Sequence, residues 1–181
     1  MEVIASAPAK VILFGEHFVV YGKPAIVMAI NKRAYIKAKP RTDRKIYINS
    51  LNLKSAGFFE NGKFTPKIGG LEAKARLEPI KAVIEKTFQL CEKKSGLEIE
   101  INSEVPVAAG LGSSAAVAAA TAMAVSALLD IRIERSEIFE IAYEAERLVH
   151  GTPSGIDPAI ATYGGTIFFQ KDMDLSLIHI S

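Results

Sequence analysis

The sequence predicts an α+β fold in two layers, and three observations support that class. Residues 35–39 and 45–49 alternate polar and apolar side chains, as half-buried strands do. An Asn-Gly pair at 61–62, flanked by phenylalanines, is a hairpin-turn signal, so the early strands are expected to be antiparallel. Apolar residues then recur at helical spacing over 80–91 and 138–149. This irregular alternation of strands and helices is typical of helices packed on a sheet.

The predicted strands are short segments separated by glycine and proline. Pro8 separates the first two, Gly15 and Gly22 bracket the connection that follows, and two glycines at 164–165 precede the last. The segment Leu-Glu-Ile-Glu-Ile at 97–101 alternates cleanly, as expected of a strand with one buried face. In chain order the predicted strands cover residues 3–6, 10–14, 25–30, 35–39, 45–49, 97–101 and 166–169.

The predicted helices are defined by their ends as well as by their apolar stripes. Pro79 is expected in the first turn of the helix over 80–91, where a missing N–H does no harm. An alanine-rich helix follows Gly112. Ser136 is expected to cap the helix over 138–149, and Asp157 to cap a short helix in which Pro158 is the first helical residue.

Composition narrows the classes of function. The chain has 181 residues, enough for one domain, and its 22 basic and 20 acidic residues give a net charge of +2. That balance gives no reason to expect a nucleic-acid or membrane partner. Cys91 is the only cysteine and lies on the apolar face of a predicted helix, so we expect a small core residue and no disulfide. With no leader pattern and no apolar run long enough to span a bilayer, we expect a cytoplasmic protein.

The end of the chain has an unusual sequence. Residues 175–181 read Leu-Ser-Leu-Ile-His-Ile-Ser and resemble the translation of a transposase adapter used in sequencing libraries. We therefore expect one domain over residues 1–174, a foreign tail over 175–181, and a natural protein that continues differently beyond Asp174. His179 accordingly receives no functional role.

A glycine- and serine-rich turn leads into the alanine-rich helix. Such a turn directs backbone N–H groups to one point at the positive end of a helix, where a phosphate binds. The alternative is a plain glycine turn before a capped helix. The turn is neither a P-loop, since no lysine follows Gly112, nor a complete G-x-G-x-x-G. The candidate phosphate-binding residues are Pro106, Val107, Ala108, Ala109, Gly110, Leu111, Gly112, Ser113, Ser114, Ala115 and Ala116.

Three candidate residues lie near the N-terminus. Lys10 falls within the apolar run at 9–14, and a lysine in a buried strand is expected to be paired or functional. The alternative is an edge-strand lysine that reaches water. Glu16 and His17 follow in the next connection, where each is either a site residue or an ordinary loop residue.

Two carboxylates in the second half are further candidates. Glu146 lies at the margin of an apolar helical stripe, where it could hold a metal beside phosphates. Its alternative is a surface glutamate paired with a lysine or arginine. Asp157 could accept the proton of a substrate hydroxyl and cap its helix as well, because a capping aspartate is held rigidly.

Together these segments resemble the GHMP kinases, named for galacto-, homoserine, mevalonate and phosphomevalonate kinases. Three segments carry the resemblance: PAKVILFGEHFVVYG at 8–22, PVAAGLGSSAA at 106–116 and ERLVHGTPSGID at 146–157. Galactokinases usually continue Gly-Glu-His with Thr-Asp-Tyr, whereas this chain reads Phe-Val-Val-Tyr, which favours the mevalonate branch and its shorter archaeal and bacterial forms.

The resemblance implies a fold and a reaction. The fold would be the two-layer N-terminal domain of that family, similar to domain 2 of ribosomal protein S5, without the ferredoxin-like C-terminal domain. The cofactors would be ATP and Mg²⁺, and a small-molecule substrate, mevalonate, would receive the γ-phosphate. A homodimer would be compatible with the full-length protein. The alternatives are another GHMP kinase, acting on phosphomevalonate or a sugar, and a non-catalytic nucleotide- or metabolite-binding regulator of the same fold.

The resemblance also implies roles for individual residues. The turn at 106–116 would wrap the ATP phosphates, and Ser114 and Glu146 would hold Mg²⁺. Asp157 would be the base for the substrate hydroxyl, with Lys10 paired to it. Glu16 and His17 would line the mevalonate pocket.

Overall fold

The computed structural model describes residues 2–16, 18–106, 109–151, 153–170 and 176–178, and it confirms the α+β class. Within those residues one mixed sheet of eight strands carries four α-helices and a short 3₁₀ turn, Val19–Tyr21. The strands are β1 (Val3–Phe14), β2 (Ala25–Arg41), β3 (Ile46–Ser50), β4 (Ser55–Glu60), β5 (Lys63–Ile68), β6 (Gly96–Ser103), β7 (Thr166–Phe169) and β8 (Ser176–Ile178). The helices are α1 (Ala73–Leu90), α2 (Ser113–Leu128), α3 (Arg135–His150) and α4 (Ile156–Tyr163).

The long strand β2 is the centre of the sheet. It pairs with β1 along one edge, and along the other edge with β6 and then β7, all antiparallel. The order continues outward from β6 through β3, β4 and β5, where β3 is parallel to β6. The Asn61-Gly62 turn joins β4 to β5 as predicted, with positive φ at both residues. On the other side β8, which lies in the segment expected to be foreign, pairs with β7.

Two pairs of predicted strands are single strands in the structure. Residues 3–6 and 10–14 both belong to β1, and residues 25–30 and 35–39 both belong to β2. The β1–β2 register passes from the pair Pro8–Arg33 to the pair Ala9–Ile30, so residues 31 and 32 of β2 are skipped. The ladder is locally disrupted at such a bulge, so a residue without an N–H is accommodated beside it without ending the strand.

The helices cover one face of the sheet, and residues along the strands are therefore alternately buried and more exposed. On β6 the residues Leu97, Ile99 and Ile101 are buried against the helices, while Glu98 and Glu100 between them are not. Helix α2 lies across β1 and β2 and is surrounded by the other three helices. Its run of alanines permits this central position, because small side chains let neighbouring backbones approach closely. None of the helices among the described residues is long and apolar enough to cross a membrane.

Three predicted helix starts are wrong. Helix α1 begins at Ala73, because Ala73 and Leu77 extend its buried face toward the N-terminus, and Pro79 is therefore inside the helix. Helix α3 is capped by Glu134 rather than by Ser136. The Glu134 carboxylate accepts from a first-turn amide, and the Glu137 carboxylate accepts from the Glu134 N–H, which together make a capping box.

The third correction concerns Asp157. Gly155, at φ 87°, occupies the N-cap of α4, and Asp157 is the second helical residue rather than the cap. The Ser154 hydroxyl accepts a hydrogen bond from the Ile156 N–H. The Asp157 carboxylate is not needed for capping, and it points instead toward β1.

Candidate active site

A buried ion pair forms the centre of the candidate site. Lys10 lies on β1 and is 6% exposed, and its Nζ is 3.2 Å from Oδ1 of Asp157 on α4. The alternative of a lysine that extends into solvent is thereby excluded, because the Lys10 side chain is only 7% exposed and is paired with Asp157. A buried charge is tolerated when it is paired, and its retention here provides a fixed cation and a fixed anion side by side.

The glycine-rich turn is fixed against the same strand. The Lys10 N–H donates to the Leu111 carbonyl at 3.0 Å, and Gly112 next to it is the N-cap of α2 with φ 72°. A Cβ on Gly112 would lie 3.0 Å from Cγ of Lys10 and 3.4 Å from Oδ2 of Asp157. The ion pair therefore lies directly beside the N-terminus of α2, and both the backbone conformation and the available space require glycine there.

The N-terminus of α2 is suited to an anion. Within the described part of the chain no side chain caps it, and its first turn contains no acidic residue. The first amides of a helix have no partner inside the helix and stand at the positive end of its dipole. Gly110 has open space around its Cα and Ser114 is exposed, so a ligand can approach the turn closely.

Glu146 of α3 contributes a second carboxylate. Its Oε2 is buried and has no hydrogen-bond partner among the described residues. The pKa of Glu146 is raised to about 7, first by burial and then by the negative charge of Asp157, while the positive charge of Lys10 opposes both effects. The alternative of an exposed, ion-paired glutamate is excluded. An orphaned carboxylate oxygen is a position that a cation would satisfy, and oxygen ligands are those that Mg²⁺ prefers.

These groups open into a cavity of about 650 Å³, within the usual range for a small-molecule site. One end contains Lys10, Asp157, Glu146 and the glycine-rich turn. The remainder is formed by α1, by the ends of β3 and β6 and by parts of α2 and α3, and it is mostly apolar. Its lining includes Ser50, Asn52, Leu53, Ala75, Arg76, Pro79, Ile80, Val83, Ile101 and Ser103.

The other predicted site residues are distributed as follows. The cavity is lined by Glu16, which is exposed, and by Pro106, Ala109, Gly110, Leu111, Gly112, Ser113, Ser114 and Ala115. Ala116 lies in the core, and its N–H already donates to the Gly112 carbonyl, so it adds no free amide. His17, Val107 and Ala108 lie outside the described residues.

Sequence reasoning missed the part of the cavity lining that comes from α1 and from the end of β3. The Asn52 side chain donates to the Ser103 carbonyl and accepts from the Ser103 N–H, both at 2.7 Å, and so ties the end of β3 to β6. Arg76 and Pro79 line the cavity from α1. No spacing in the sequence marks Asn52 or Arg76, whereas a proline inside an apolar helical pattern was a readable signal for Pro79.

Comparisons with known proteins identify relatives of this chain. The model of the GHMP kinases N terminal domain matches residues 78–165. A curated mevalonate kinase of Pyrococcus furiosus is 46% identical over an alignment of 176 residues, which covers 94% of this chain and 52% of that protein. The crystal structure of the Methanococcus jannaschii mevalonate kinase superposes with a TM-score of 0.83 at 28% identity, covering 98% of this chain and 56% of that one. A structure of L. major mevalonate kinase in complex with R-mevalonate gives a TM-score of 0.71 at 29% identity, covering 97% and 51%.

The chain spans about half the length of the relatives that it matches. The residues matched by the family model, 78–165, include Gly112, Glu146 and Asp157. The chain belongs to the GHMP kinase family.

Proposed function

We propose that the full-length protein carrying this chain is a mevalonate kinase, which transfers the γ-phosphate of ATP to the 5-hydroxyl of (R)-mevalonate in isoprenoid synthesis. The observation that carries the proposal is the Lys10–Asp157 pair beside the uncapped N-terminus of α2. The 46% identity to the Pyrococcus furiosus mevalonate kinase supports this substrate within the family.

The turn at 106–116 binds the phosphates of ATP in this proposal. The free amides at the start of α2 donate to phosphate oxygens, and the positive end of the helix favours their charge. Gly110 and Gly112 permit the close approach that a side chain would block. Since phosphoryl transfer depends mainly on alignment and electrostatic stabilisation, a rigid turn tied to β1 through Leu111 is well suited to it.

Ser114 and Glu146 are the proposed Mg²⁺ ligands. The donor set fits, since Mg²⁺ is usually held by one or two carboxylates and by the substrate phosphates rather than by a complete protein cage. Bound there, Mg²⁺ would neutralise charge on the phosphates. The buried Oε2 of Glu146, without a hydrogen-bond partner among the described residues, supports this assignment.

Asp157 and Lys10 act on the acceptor hydroxyl. The Asp157 carboxylate accepts a hydrogen bond from the hydroxyl, orients its oxygen toward the γ-phosphate and takes the proton as the bond forms. Lys10 holds that carboxylate in place and balances its charge. Glu16, at the cavity mouth, and His17 are the proposed contacts for mevalonate.

The protein is further proposed to be cytoplasmic, with a small-molecule partner rather than a nucleic acid. The N-terminal domain would cover residues 1–174, and residues 175–181 would not belong to the natural protein. Sequencing the gene beyond the codon for Asp174 tests that boundary directly. A natural continuation of Leu-Ser-Leu-Ile-His-Ile-Ser would overturn it.

The function is tested by ADP release from ATP in the presence of Mg²⁺, using the full-length protein. Mevalonate, mevalonate 5-phosphate and galactose are offered separately, and release with mevalonate alone is expected. Release with a control substrate alone would move the substrate within the family. ATP binding without release from any of the three would favour the non-catalytic regulator.

A further inference from the structure

Tyr143 on α3 packs against the start of the helix that carries Asp157. A Cβ on Gly155, the N-cap of α4, would lie 3.4 Å from Cε2 of the Tyr143 ring. The ring edge therefore occupies the space directly beside the Gly155 backbone, two residues before Asp157. Glu146 follows Tyr143 by three residues on α3, so the two side chains lie on the same side of that helix. Tyr143 thus belongs to the helix of one carboxylate of the site and contacts the helix of the other.

The two helices rest largely on different apolar clusters. Helix α3 buries Ile138, Ile141 and Ala142 in the main core. Helix α4 reaches that core through Ala161, a single methyl group. Most of its apolar face lies in a second cluster, which includes Ile156, Ala159, Ile160, Val27, Ile167 and Phe169. The separation of α3 and α4 is therefore set largely by the side chains that lie between them.

A row of aromatic rings fills the space between α3 and α4. Tyr143 and Phe139 are one turn apart on α3, with ring centroids 5.9 Å apart and planes 11° from parallel. Phe139 in turn contacts Tyr163 at the end of α4, with 6.4 Å between the centroids. The row meets α4 at both ends, through Gly155 and through Tyr163. Because aromatic pairs prefer defined geometries and a ring cannot bend, the row favours one separation of the two helices.

That separation matters for the chemistry of the site. Glu146 and Asp157 line the same end of the cavity but come from different helices. Asp157 is tied to β1 through Lys10, whereas Oε2 of Glu146 has no hydrogen-bond partner among the described residues. The position of Glu146 relative to Asp157 therefore depends on how α3 packs against α4. In phosphoryl transfer the attacking oxygen must be in line with the transferred group, and a misplacement of about 1 Å can cost about 10²-fold in rate.

We propose that Tyr143 is a positioning residue, which fixes the distance between the Mg²⁺ ligand Glu146 and the carboxylate of Asp157 that aligns the acceptor hydroxyl. The inference rests on the proposed function, because it takes these two carboxylates in those roles. Tyr143 is not among the described residues that line the cavity, whereas Ala142 and Glu146 on the same helix are. Its replacement should therefore lower kcat and leave the affinity for ATP unchanged.

The test is Tyr143→Leu in the full-length protein, with Tyr143→Phe as the conservative variant. Leucine removes the ring that packs beside Gly155, so kcat for ADP release with mevalonate should fall about 10- to 100-fold. The Kd for ATP, measured by calorimetry, should change by less than about twofold, because the free amides that bind the phosphates belong to α2. Phenylalanine keeps the ring and should retain kcat within about twofold.

Tyr47→Leu is the matched control for loss of stability. Tyr47 on β3 packs against Phe58 with ring centroids 4.7 Å apart, and neither residue is among those that line the cavity. Tyr47→Leu should lower the unfolding temperature, as Tyr143→Leu does, but should leave kcat unchanged at a temperature where both variants are folded. The inference would be overturned by equal losses of kcat in these two variants, or by a loss in Tyr143→Phe as large as that in Tyr143→Leu.

Two further measurements separate positioning from general damage. In a crystal structure of metal-free Tyr143→Leu, the Cα separation of Glu146 and Asp157 should differ from that of the wild type by about 1 Å. In an Asp157→Asn background, Tyr143→Leu should lower kcat by less than about twofold, because residues that act as a unit are not additive. An unchanged Cα separation, or the full loss of kcat in the Asp157→Asn background, would contradict a positioning role.

The inference and the proposed function fail in different ways. ADP release from mevalonate by the wild type, with an undiminished kcat in Tyr143→Leu, would overturn the inference alone. A wild type that acts only on mevalonate 5-phosphate or galactose would overturn the mevalonate assignment, and loss of kcat on that substrate in Tyr143→Leu would leave the inference supported. No ADP release with any of the three substrates would overturn both.

Discussion

Replacing Glu146 by glutamine should stabilise the metal-free protein at alkaline pH. The Glu146 carboxyl has its pKa raised from 4.5 to about 7, first by burial and then by the charge of Asp157. A folded-state pKa above the unfolded value means that the folded protein binds more protons between those two pH values. The contribution of the Glu146 carboxyl to the free energy of unfolding is therefore fully present below about pH 4.5, and it is lost as the pH rises through 7.

The size of the effect follows from the shift. One pKa unit corresponds to about 1.4 kcal/mol, so ionising Glu146 in the folded state costs about 3 kcal/mol at pH 8. Glutamine resembles the protonated acid and avoids that cost. Glu146→Gln should thus exceed the wild type by less than about 1 kcal/mol near pH 5 and by about 3 kcal/mol at pH 8, which is roughly 6–12 °C in Tm for a domain of this size.

Thermal unfolding in EDTA between pH 5 and pH 8.5 measures this difference. Glu144→Gln is the matched control: Glu144 lies on the same helix but is exposed and paired with Lys86 on the surface. Loss of an exposed pair costs about 0–1 kcal/mol. A Glu146→Gln protein whose stability falls with pH as steeply as the wild type would refute the electrostatic reasoning. So would one that is less stable than the wild type at pH 8.

Further outcomes follow from the ion pair, the turn and the core. Asp157→Asn should lower kcat by about 10²- to 10⁴-fold in the coupled ADP assay, with little change in KM for ATP. The control Asp130→Asn, in an exposed turn, should have no effect on turnover. Near-normal turnover of Asp157→Asn would leave Asp157 without a catalytic role. Gly112→Ala should destabilise the protein more than Gly62→Ala in urea titrations. Both glycines have φ above 70°, so an alanine at either position costs about 1–2 kcal/mol, but only at Gly112 would the added Cβ crowd the ion pair. Equal losses of stability in the two variants would contradict this reasoning. Leu77→Ala should cost about 2–5 kcal/mol in the same titrations, since the side chain is fully buried, and a loss below 1 kcal/mol would place it outside the core.

Local sequence signals were sufficient for parts of the sheet and for the glycine-rich turn before α2. The Asn61-Gly62 hairpin, the alternation along β6 and the glycine turn before α2 each depend on neighbours in sequence. Local signals did not show that the two predicted segments on either side of Pro8 form one continuous strand. Pro8 looks like a break, and only the partner strand β2 shows that a bulge absorbs it.

The candidate site could be predicted in part. Lys10 was conspicuous as a lysine in an apolar run, but its partner is distant in sequence, and the pairing with Asp157 was implied by the family resemblance alone. The α1 wall was missed for a physical reason. Lys74 and Arg76 are exposed and interrupt the apolar pattern, so the pattern does not show that the helix begins at Ala73. Pro79 was therefore assigned to the first turn, where a proline is harmless.

The proposed role of Glu146 as a metal ligand would couple metal binding to proton release. At pH 6 a carboxyl with a pKa of about 7 is mostly protonated, whereas Mg²⁺ coordination requires the carboxylate. Binding of ATP already saturated with Mg²⁺ should therefore release close to one proton at pH 6 and about a tenth of a proton at pH 8. Calorimetry in buffers of different ionisation enthalpy counts these protons, and Glu146→Gln supplies the baseline, since glutamine has none to release. If Glu146 is a ligand, the difference between the two proteins must shrink as the pH rises. Equal release by both proteins at pH 6 would mean that the nucleotide-bound metal does not reach Glu146, and the unpaired oxygen would then need another explanation.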